Sequence, residues 1–209
     1  MLGGDAAVNS AVEDDIADIL GEATIVRLAG ADRYETACIV ASETVNALGD
    51  GWDGTAFATT GRNWPDALAA SPLAAWAGYP VFLAGPGGFD PATQQCMDDL
   101  GVNGAVVLGG TVAMPLSVLA QMDALGVTEV DRVGGDNRYE TAAMIAAWGV
   151  ENLGMSYDTL GISTGKKFPD ALSAGAVLGE DGYVMLLTPT TYLHSATRQA
   201  LEDNADQIS

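Results

Sequence analysis

The 209-residue chain combines 48% apolar residues with a formal net charge of −20, from 28 acidic and 8 basic side chains. So few cations cannot neutralise a phosphate backbone, which excludes nucleic acid as a partner and argues against docking on anionic lipid. The apolar content suffices for a sizeable core, but no apolar run is long enough to span a bilayer, so membrane insertion is not expected.

The chain opens on an acidic segment that lacks the basic and apolar regions of a signal peptide. If the natural protein is exported, its signal therefore lies outside this chain. The stretch Leu2–Val12 matches Leu108–Val118, so the first residues repeat a later part of the sequence. We interpret residues 1–20 as the closing segment of a preceding repeat.

Three further sequence words occur twice, and all the matches are spaced by 104 to 106 residues. They are RLAGADRYETA and RVGGDNRYETA at 27–37 and 132–142, TGRNWPDALAA and TGKKFPDALSA at 60–70 and 164–174, and GYPVFLAGP and GYVMLLTP at 78–86 and 182–189. Ordered matches at a nearly constant spacing indicate a duplication. We assign a first repeat to residues 24–126 and a second to residues 127–209, which lacks its last strand and helix.

Apolar strands alternate with helices inside each repeat. The elements predicted in chain order are a strand at 104–110, a helix at 114–126, a strand at 127–135, a helix at 136–154, a strand at 157–165, a helix at 168–179, a strand at 183–189 and a helix at about 195–204. Such alternation predicts an α/β fold of two tandem modules, each a mostly parallel sheet flanked by helices. We expect each copy to be a four-stranded unit whose apolar strands are buried on both faces.

The repeated DRYE and NRYE words start helices. Asp32 and Asn137 stand at predicted N-cap positions, and Glu35 and Glu140 follow three residues later. This spacing is that of a capping box, in which the N-cap side chain and the later carboxylate satisfy free backbone N–H groups.

The arginine inside each word needs another explanation, because a cation in the first helical turn opposes the helix dipole. Arg33 and Arg138 occupy these positions, and Asp66 and Asp170 begin the helices of the PDAL words. Strand-to-helix turns of a parallel sheet gather at one edge, so we expect Arg33 to pair with Asp66 and Arg138 with Asp170. A contact from the arginines to a ligand is the alternative.

The tyrosines that follow, Tyr34 and Tyr139, are expected to be mostly buried or to lie at contacts between modules. Cys38 and Cys96 form no CxxC pair, and a small apolar role inside a helix is the expectation for both. The single histidine, His194, has no counterpart in the first repeat and is interpreted as a surface residue.

Catalytic and cofactor motifs are not evident in the sequence. No Ser–His or Cys–His pair repeats, no GxSxG elbow occurs, and no run matches an EF-hand loop. The glycines that end the strands fit an anion cradle at helix starts, but none reads GxGxxG or GxxxxGK[ST], so the nucleotide signal is weak. Asp66 and Asp170 would form an acid pair only with another carboxylate nearby.

The words RLAGADRYETA, TGRNWPDALAASPLA, GYPVFLAGP and VVLGGTVAM together resemble the cell wall binding repeat 2 family of surface proteins of Gram-positive bacteria and some archaea. The resemblance covers essentially the whole chain in two passes. It implies Rossmann-like or toprim-like modules, usually three in tandem, packed as a pseudo-threefold trimer. In clostridial surface-layer proteins such a trimer implies non-covalent anchoring to an anionic wall polysaccharide, while a separate region often supplies catalytic or adhesive activity.

The family's PILL word, implicated in anchoring, corresponds to Pro80-Val81-Phe82-Leu83 in the first repeat. In the second repeat the same place reads Val184-Met185-Leu186-Leu187, without the proline. The candidate ligand-binding residues are Arg33, Tyr34, Arg62, Asp66, Pro80, Val81, Phe82, Leu83, Arg138, Tyr139, Lys166, Lys167, Asp170, Met185, Leu186 and Leu187.

We therefore predict a non-catalytic module of a secreted protein, held at the cell wall by an anionic polysaccharide and associated with further copies of the repeat. No cofactor is expected. Because a chain of charge −20 repels an anionic polymer at long range, binding would depend on local cations or on a bridging divalent cation. The alternatives are an enzyme, either a hydrolase or a nucleotide-binding α/β protein, that uses the loops at the C-terminal strand ends, and a purely structural assembly domain.

Overall fold

The computed structural model describes residues 1–21 and 25–209, so the predicted start of the first repeat at Thr24 lies outside the described residues. The helices of these residues are α1 (Ser10–Leu20), α2 (Arg33–Leu48), α3 (Pro65–Ala77), α4 (Pro91–Leu100), α5 (Ser117–Ala124), α6 (Arg138–Leu153), α7 (Pro169–Glu180) and α8 (Ser195–Asp203). The strands are β1 (Thr55–Thr60), β2 (Val81–Ala84), β3 (Gly104–Leu108), β4 (Glu129–Val133), β5 (Ser156–Thr164) and β6 (Tyr183–Thr188).

The larger sheet has four parallel strands in the order β2-β1-β3-β4. The central strands β1 and β3 are buried along nearly their whole length, as the unbroken apolar sequence of β3 predicts. The edge strand β4 instead alternates between exposed and partly buried residues. The mixed α/β fold with a parallel sheet is therefore confirmed.

The second repeat differs from the expected four-stranded unit. Within the described residues it contributes β4 to the sheet of the first repeat, while β5 and β6 pair in a separate, two-stranded parallel sheet. The cause is the short crossover through α5, which returns the chain next to β3 and favours pairing of β4 there. The predicted boundary between residues 126 and 127 thus falls between two strands of one sheet.

A single bridge near the N-terminus has the same geometry as the end of the β3–β4 pair. Leu2 pairs in parallel with Leu28, as Leu108 pairs with Val133. Residues 1–21 and 25–29 therefore repeat the arrangement of β3, α5 and β4. Their assignment to a preceding repeat stays a prediction.

Two apolar clusters cover the two faces of the larger sheet, because successive side chains of a strand point to opposite faces. Phe57 lies in one cluster, whereas its neighbours Ala56 and Ala58 lie in the other. The Phe57 cluster extends into the second repeat, where Ile145 and Leu186 are fully buried. The two repeats therefore share one core.

Helices α3 and α7 pack closely across this shared core. A Cβ added at Gly175 would lie 2.0 Å from the Ser71 Oγ, and one at Gly179 would lie 2.5 Å from the Ala75 Cβ. Glycine is required at both positions because the facing helix leaves no room for a side chain.

A disulfide bond joins Cys38 of α2 to Cys96 of α4, with the two Cα atoms 6.3 Å apart. The interpretation of these cysteines as small apolar residues was wrong, because 58 residues of sequence separate two helices that the fold places side by side. Ala143 and Ala200 stand at the equivalent positions of the second repeat, which therefore lacks this bond.

Candidate functional site

The first helical turn of α2 is capped as the sequence predicts. The Asp32 carboxylate accepts from the N–H groups of Tyr34 at 2.8 Å and Glu35 at 3.0 Å. The Glu35 carboxylate accepts from the N–H of Ala31 at 2.6 Å, one residue before the N-cap. The capping box is confirmed, with a reach one residue longer than the usual reciprocal pair.

Helix α6 begins with the same set of bonds. The Asn137 Oδ1 accepts from the N–H groups of Tyr139 and Glu140, and the Glu140 carboxylate accepts from the N–H of Asp136 at 3.0 Å. The Thr141 hydroxyl adds an acceptor for the N–H of Gly135 at 3.1 Å. These residues of the repeated word therefore have structural partners in both copies.

The arginines of the two words bind backbone carbonyls rather than carboxylates. Arg33 Nη1 donates to the carbonyl of Gly61 at 2.7 Å, and Arg138 Nη1 donates to that of Gly165. The ion pairs of the described residues involve neither arginine, so the expected pairs with Asp66 and Asp170 are wrong. Instead, the glycine carbonyl of the neighbouring strand-to-helix turn accepts a hydrogen bond from the guanidinium. This bond holds each helix against that turn.

Each tyrosine of the words packs against the same glycine. A Cβ at Gly61 would lie 2.5 Å from the Tyr34 Cε1, and one at Gly165 would lie 2.6 Å from the Tyr139 Cε1. Tyr139 is buried, as expected, and its ring lies 4.6 Å from that of His194 between centroids. Tyr34 is only half-buried.

His194 has a structural role that the sequence analysis missed. Its Nδ1 accepts from the N–H of Ala196 at 3.2 Å, so the imidazole caps α8. The residue is half-buried rather than free on the surface.

A polar cleft of about 610 Å³ opens at the C-terminal edge of the larger sheet, between the two repeats. Three loops form it, one after each of the strands β1, β3 and β4. The lining residues are Thr60, Arg62, Asn63, Pro65, Asp66, Gly110, Thr111, Val112, Ala113, Gly135, Asp136, Asn137, Arg138 and Thr141. This edge is where open α/β sheets bind ligands.

The carboxyl of Asp66 lies inside this cleft, beside the end of β3. A Cβ at Gly109 would lie 2.7 Å from its Oδ2, which shows how closely the two approach. Burial raises the pKa of Asp66 to about 6, and the opposing influence comes from the charge of Arg138. The arginine that acts on Asp66 therefore belongs to the following repeat, not to its own.

The aromatic residues before the PDAL words meet at the same junction. The Trp64 and Phe168 rings lie edge to face with centroids 6.1 Å apart, and the Arg138 guanidinium lies 5.5 Å from the Trp64 ring centroid. Trp64, the residue before the first turn of α3, makes no side-chain capping bond. The N-terminus of α3 at the cleft therefore lacks the side-chain cap that Asn137 supplies to α6.

The eight basic residues divide into two groups. Arg27 and Arg132 bind backbone carbonyls beneath turns, and Arg198 lies 3.9 Å from Glu202 on α8. The other five occupy the loops and helix starts at the C-terminal strand edges, namely Arg33, Arg62, Arg138, Lys166 and Lys167. Most of the scarce positive charge is thus collected on one edge of the molecule.

In both repeats, most of the strand residues that correspond to the PILL word lie in the core. Phe82, Met185, Leu186 and Leu187 are fully buried, so the structure corrects their assignment as direct ligand contacts. Pro80 is also buried, whereas Val81 and Leu83 are half-buried and line a separate apolar cleft. Apolar strand residues covered by helices on both faces cannot reach a polymer on the surface.

The equivalent aspartates of the PDAL words have different surroundings. Asp170 is exposed, while Asp66 is half-buried in the cleft that the loop before α6 also lines. The lysines Lys166 and Lys167 are likewise exposed beside Asp170.

Several cleft residues escaped the sequence analysis. Thr60, Thr111 and Asn63 line the cleft, and nothing about them singled them out along the chain. The pair Arg27 and Arg132 was also missed, although an arginine that recurs at the start of both RLAG and RVGG words was an available signal.

Other site chemistry is limited in the described part of the chain. Residues 1–21 and 25–209 contain no group of three or more His, Cys, Asp or Glu side chains placed to hold a metal ion. Among their helices, none has both the length and the apolar character needed to cross a membrane.

Comparison with curated proteins identifies two relatives from Bacillus subtilis (strain 168). N-acetylmuramoyl-L-alanine amidase LytC is 29% identical over 201 residues, which cover 96% of this chain and 37% of the amidase. The amidase enhancer is 29% identical over 164 residues, which cover 78% of this chain and 21% of the enhancer. The chain thus spans about a third or less of these relatives.

Two solved structures have the same fold. Cwp8 from Clostridium difficile matches with a TM-score of 0.80 at 22% identity, over 96% of this chain and 32% of Cwp8. Cwp6 from the same organism matches with a TM-score of 0.82 at 20% identity, over 95% of this chain and 31% of Cwp6.

A family model matches the chain twice. The matched segments are residues 27–119 and 132–208, each inside one of the two repeats read from the sequence. The two matches together cover most of the chain, and both begin at the half-buried arginine of the RLAG and RVGG words. The chain belongs to the cell wall binding domain 2 family.

Proposed function

We propose that the chain is a non-catalytic module that holds a surface protein at the cell wall by binding an anionic wall polysaccharide in the cleft between its repeats. The observation that carries the proposal is the gathering of five of the eight basic residues at the edge where this cleft opens. Membership of the cell wall binding domain 2 family supports a place at the wall.

The overall charge of −20 does not prevent such binding. Repulsion between the chain and a polyanion is screened beyond about 8 Å at physiological salt. At contact distance the ligand meets Arg62 and Arg138 together with the uncapped start of α3, and all of these favour negative charge. A bridging divalent cation between cleft carboxylates and polymer phosphates is the second route, and we propose to test it directly.

Catalysis by this chain is the competing function, since one relative is an amidase. The chain covers only 37% of that amidase, so the similarity by itself does not assign the amidase activity to this segment. The acidic groups lining the cleft are Asp66 and Asp136, and the lining residues include no serine, cysteine or histidine. We therefore propose binding without catalysis.

Further copies of the repeat are the second proposed partner. An apolar cleft of about 1160 Å³ lies along α2 and β2 of the first repeat. The corresponding surface of the second repeat, formed by α6 and β6, is covered by α3. We propose that a helix equivalent to α3, from another repeat in the parent chain or in a second molecule, covers the first surface in the same way.

The two repeats supply a matched pair of variants for testing the proposed site. Arg33 and Arg138 make the same carbonyl bond, but only Arg138 lines the cleft between the repeats. We expect Arg33→Ala and Arg138→Ala to lose similar stability, about 1–2 kcal/mol each, because each removes one charged hydrogen bond. Only Arg138→Ala should also lose retention on purified cell walls.

The assay is co-sedimentation with purified cell walls, with and without a divalent-cation chelator, alongside thermal melting. Loss of retention in both variants, or in neither, would contradict the assignment of the cleft as the binding site. A wild-type chain that does not sediment with walls would contradict the proposed function itself. If the wild-type chain is retained on cell walls without the chelator and is not retained with it, a bridging divalent cation is required for binding.

A further inference from the structure

The arginine of the first repeat, Arg27, is fully paired. Its Nη1 donates to the carbonyls of Gly3 at 2.9 Å and Val8 at 2.8 Å. Its Nε and Nη2 donate to the Glu13 carboxylate at 2.9 and 2.7 Å, and an Asp5 oxygen lies 4.0 Å from Nη2. Backbone acceptors and two carboxylates thus surround this charge.

The equivalent arginine of the second repeat, Arg132, keeps the backbone bonds and loses the carboxylates. Its Nη1 donates to the carbonyls of Gly109 and Met114, both at 3.0 Å. Its Nε and Nη2 are buried without a hydrogen-bond partner. Leu119 stands at the position equivalent to Glu13, and Thr111 at the position equivalent to Asp5. Both changes remove negative charge from the surroundings of the same guanidinium.

The turn that Arg132 holds is a wall of the polar cleft. Its bonds end at Gly109 and Met114, and the residues between them, Gly110–Ala113, line the cleft. Burial lowers the pKa of the Arg132 guanidinium, yet arginine stays protonated in proteins, so the charge persists. A fixed positive charge without a counterion therefore lies directly beneath the surface that a ligand would meet.

We infer that Arg132 is a specificity-determining residue, whose unpaired guanidinium biases the cleft between the repeats toward anionic ligands without touching them. The inference rests on the proposed function and explains why one repeat retains an arrangement that costs stability. A buried charge without its partner destabilises the fold, and the same low-dielectric surroundings carry its field to the cleft. In the first repeat, Glu13 cancels that field.

Restoring the missing carboxylate at Leu119 tests the inference, because Leu119 does not line the cleft. Leu119→Glu should raise the melting temperature relative to Leu119→Gln, a control of the same size without the charge. It should also weaken binding of a short poly(glycerol phosphate) probe by on the order of three- to tenfold at low salt, as expected for neutralising one nearby charge. The difference should shrink at high ionic strength.

Two further variants make the result decisive. Arg132→Met removes the positive charge itself, whereas Leu119→Glu neutralises it with a carboxylate. Arg132→Met should weaken probe binding to a similar extent when binding is measured well below the melting temperature of the variant. Glu13→Gln should lower the melting temperature but leave binding unchanged, since its partner Arg27 holds the turn between Gly3 and Val8, which is not part of this cleft. If Leu119→Glu melts no higher than Leu119→Gln, the new carboxylate has not paired with Arg132. Probe binding by Arg132→Met then tests the inference by itself.

The failure of this inference is separable from the failure of the proposed function. Wild type that binds neither probe nor cell walls sinks the function. If wild type, Leu119→Glu and Arg132→Met all bind the probe equally well, the role of Arg132 is wrong while the proposed function stands.

Discussion

At the scale of single residues, the repeated DRYET and NRYET words fix the start of a helix to the turn beside it. Asp32 caps the helix, Glu35 and Thr36 bind the N–H groups before it, and Arg33 binds the carbonyl of Gly61. Tyr34 packs on the same glycine. The proposed binding function enters where a neighbouring repeat adds its own residues, as Arg138 does near Asp66.

The protonation of Asp66 gives the first prediction at this scale. Its pKa in the folded chain is raised to about 6 from 3.8, so the folded state binds the proton more tightly than the unfolded state does. The protonated Asp66 carboxyl therefore contributes fully to the free energy of unfolding below about pH 4. This contribution is lost as the pH rises through about 6. Asp66→Asn should remove this dependence and raise the free energy of unfolding at pH 7 by roughly 1–3 kcal/mol.

The control is Asp170→Asn, since Asp170 holds the equivalent position but is exposed. Chemical unfolding of both variants at pH 4, 5.5 and 7 measures the difference from wild type. An equal pH dependence in Asp66→Asn and wild type would contradict the burial of this carboxyl.

At the scale of elements, the two repeats stabilise the same helix pair by different means. Helices α2 and α4 are joined by the disulfide bond between Cys38 and Cys96. Their counterparts α6 and α8 lack it, and a groove lined by Met144, Ala147 and Tyr157 lies between them. A disulfide bond suits a protein exposed to the oxidising outside of the cell.

Removing that bond gives the prediction at this scale. The double variant Cys38→Ser, Cys96→Ser should lose up to about 4 kcal/mol of stability, because a loop closed across 58 residues no longer restricts the unfolded chain. Chemical unfolding with and without a thiol reductant measures the loss. Reductant should lower the stability of wild type to that of the variant and leave the variant unchanged; an insensitive wild type would show that the bond contributes nothing.

At the scale of the whole molecule, charge and apolar surface are separated along the sheet. Five basic residues lie at the C-terminal strand edges, while Asp53, Glu129 and Asp131 line a cleft near the opposite edge. Exposed apolar side chains remain on α7 at Leu172 and Val177, beside the contact with α3. The shared core fixes the two repeats relative to each other, and this fixed geometry creates the cleft between them.

The contact between α3 and α7 therefore supplies the prediction for the whole molecule. Gly179→Ala places a Cβ 2.6 Å from the Pro72 carbonyl oxygen, so the helices must separate although alanine is the better helix former. We expect lower stability and reduced retention on cell walls, because the two halves of the cleft move apart. Melting and wall co-sedimentation measure both effects.

Gly87→Ala is the matched control, since a Cβ there meets nothing within 4 Å and no positive φ constrains the position. Unchanged stability in Gly179→Ala would show that the repeats do not depend on this close approach.

The sequence by itself determined the duplication, the alternation of strands and helices, and the capping of α2 and α6. These features depend on local spacing, such as a glutamate three residues after Asp32, or on unbroken apolar runs such as β3. Local hydrogen bonds and strand burial follow from neighbouring residues, so a linear pattern is sufficient to predict them.

Only the tertiary structure decided which partners meet across the fold. It joined Cys38 to Cys96, placed β4 beside β3, and set Asp66 under the influence of Arg138 rather than Arg33. The RYETA and PDAL words are the same in both repeats, so sequence cannot distinguish an Arg–Asp contact within a repeat from one between repeats. Packing of α3 against α6 and α7 makes that choice, because it buries the core that neither repeat closes alone.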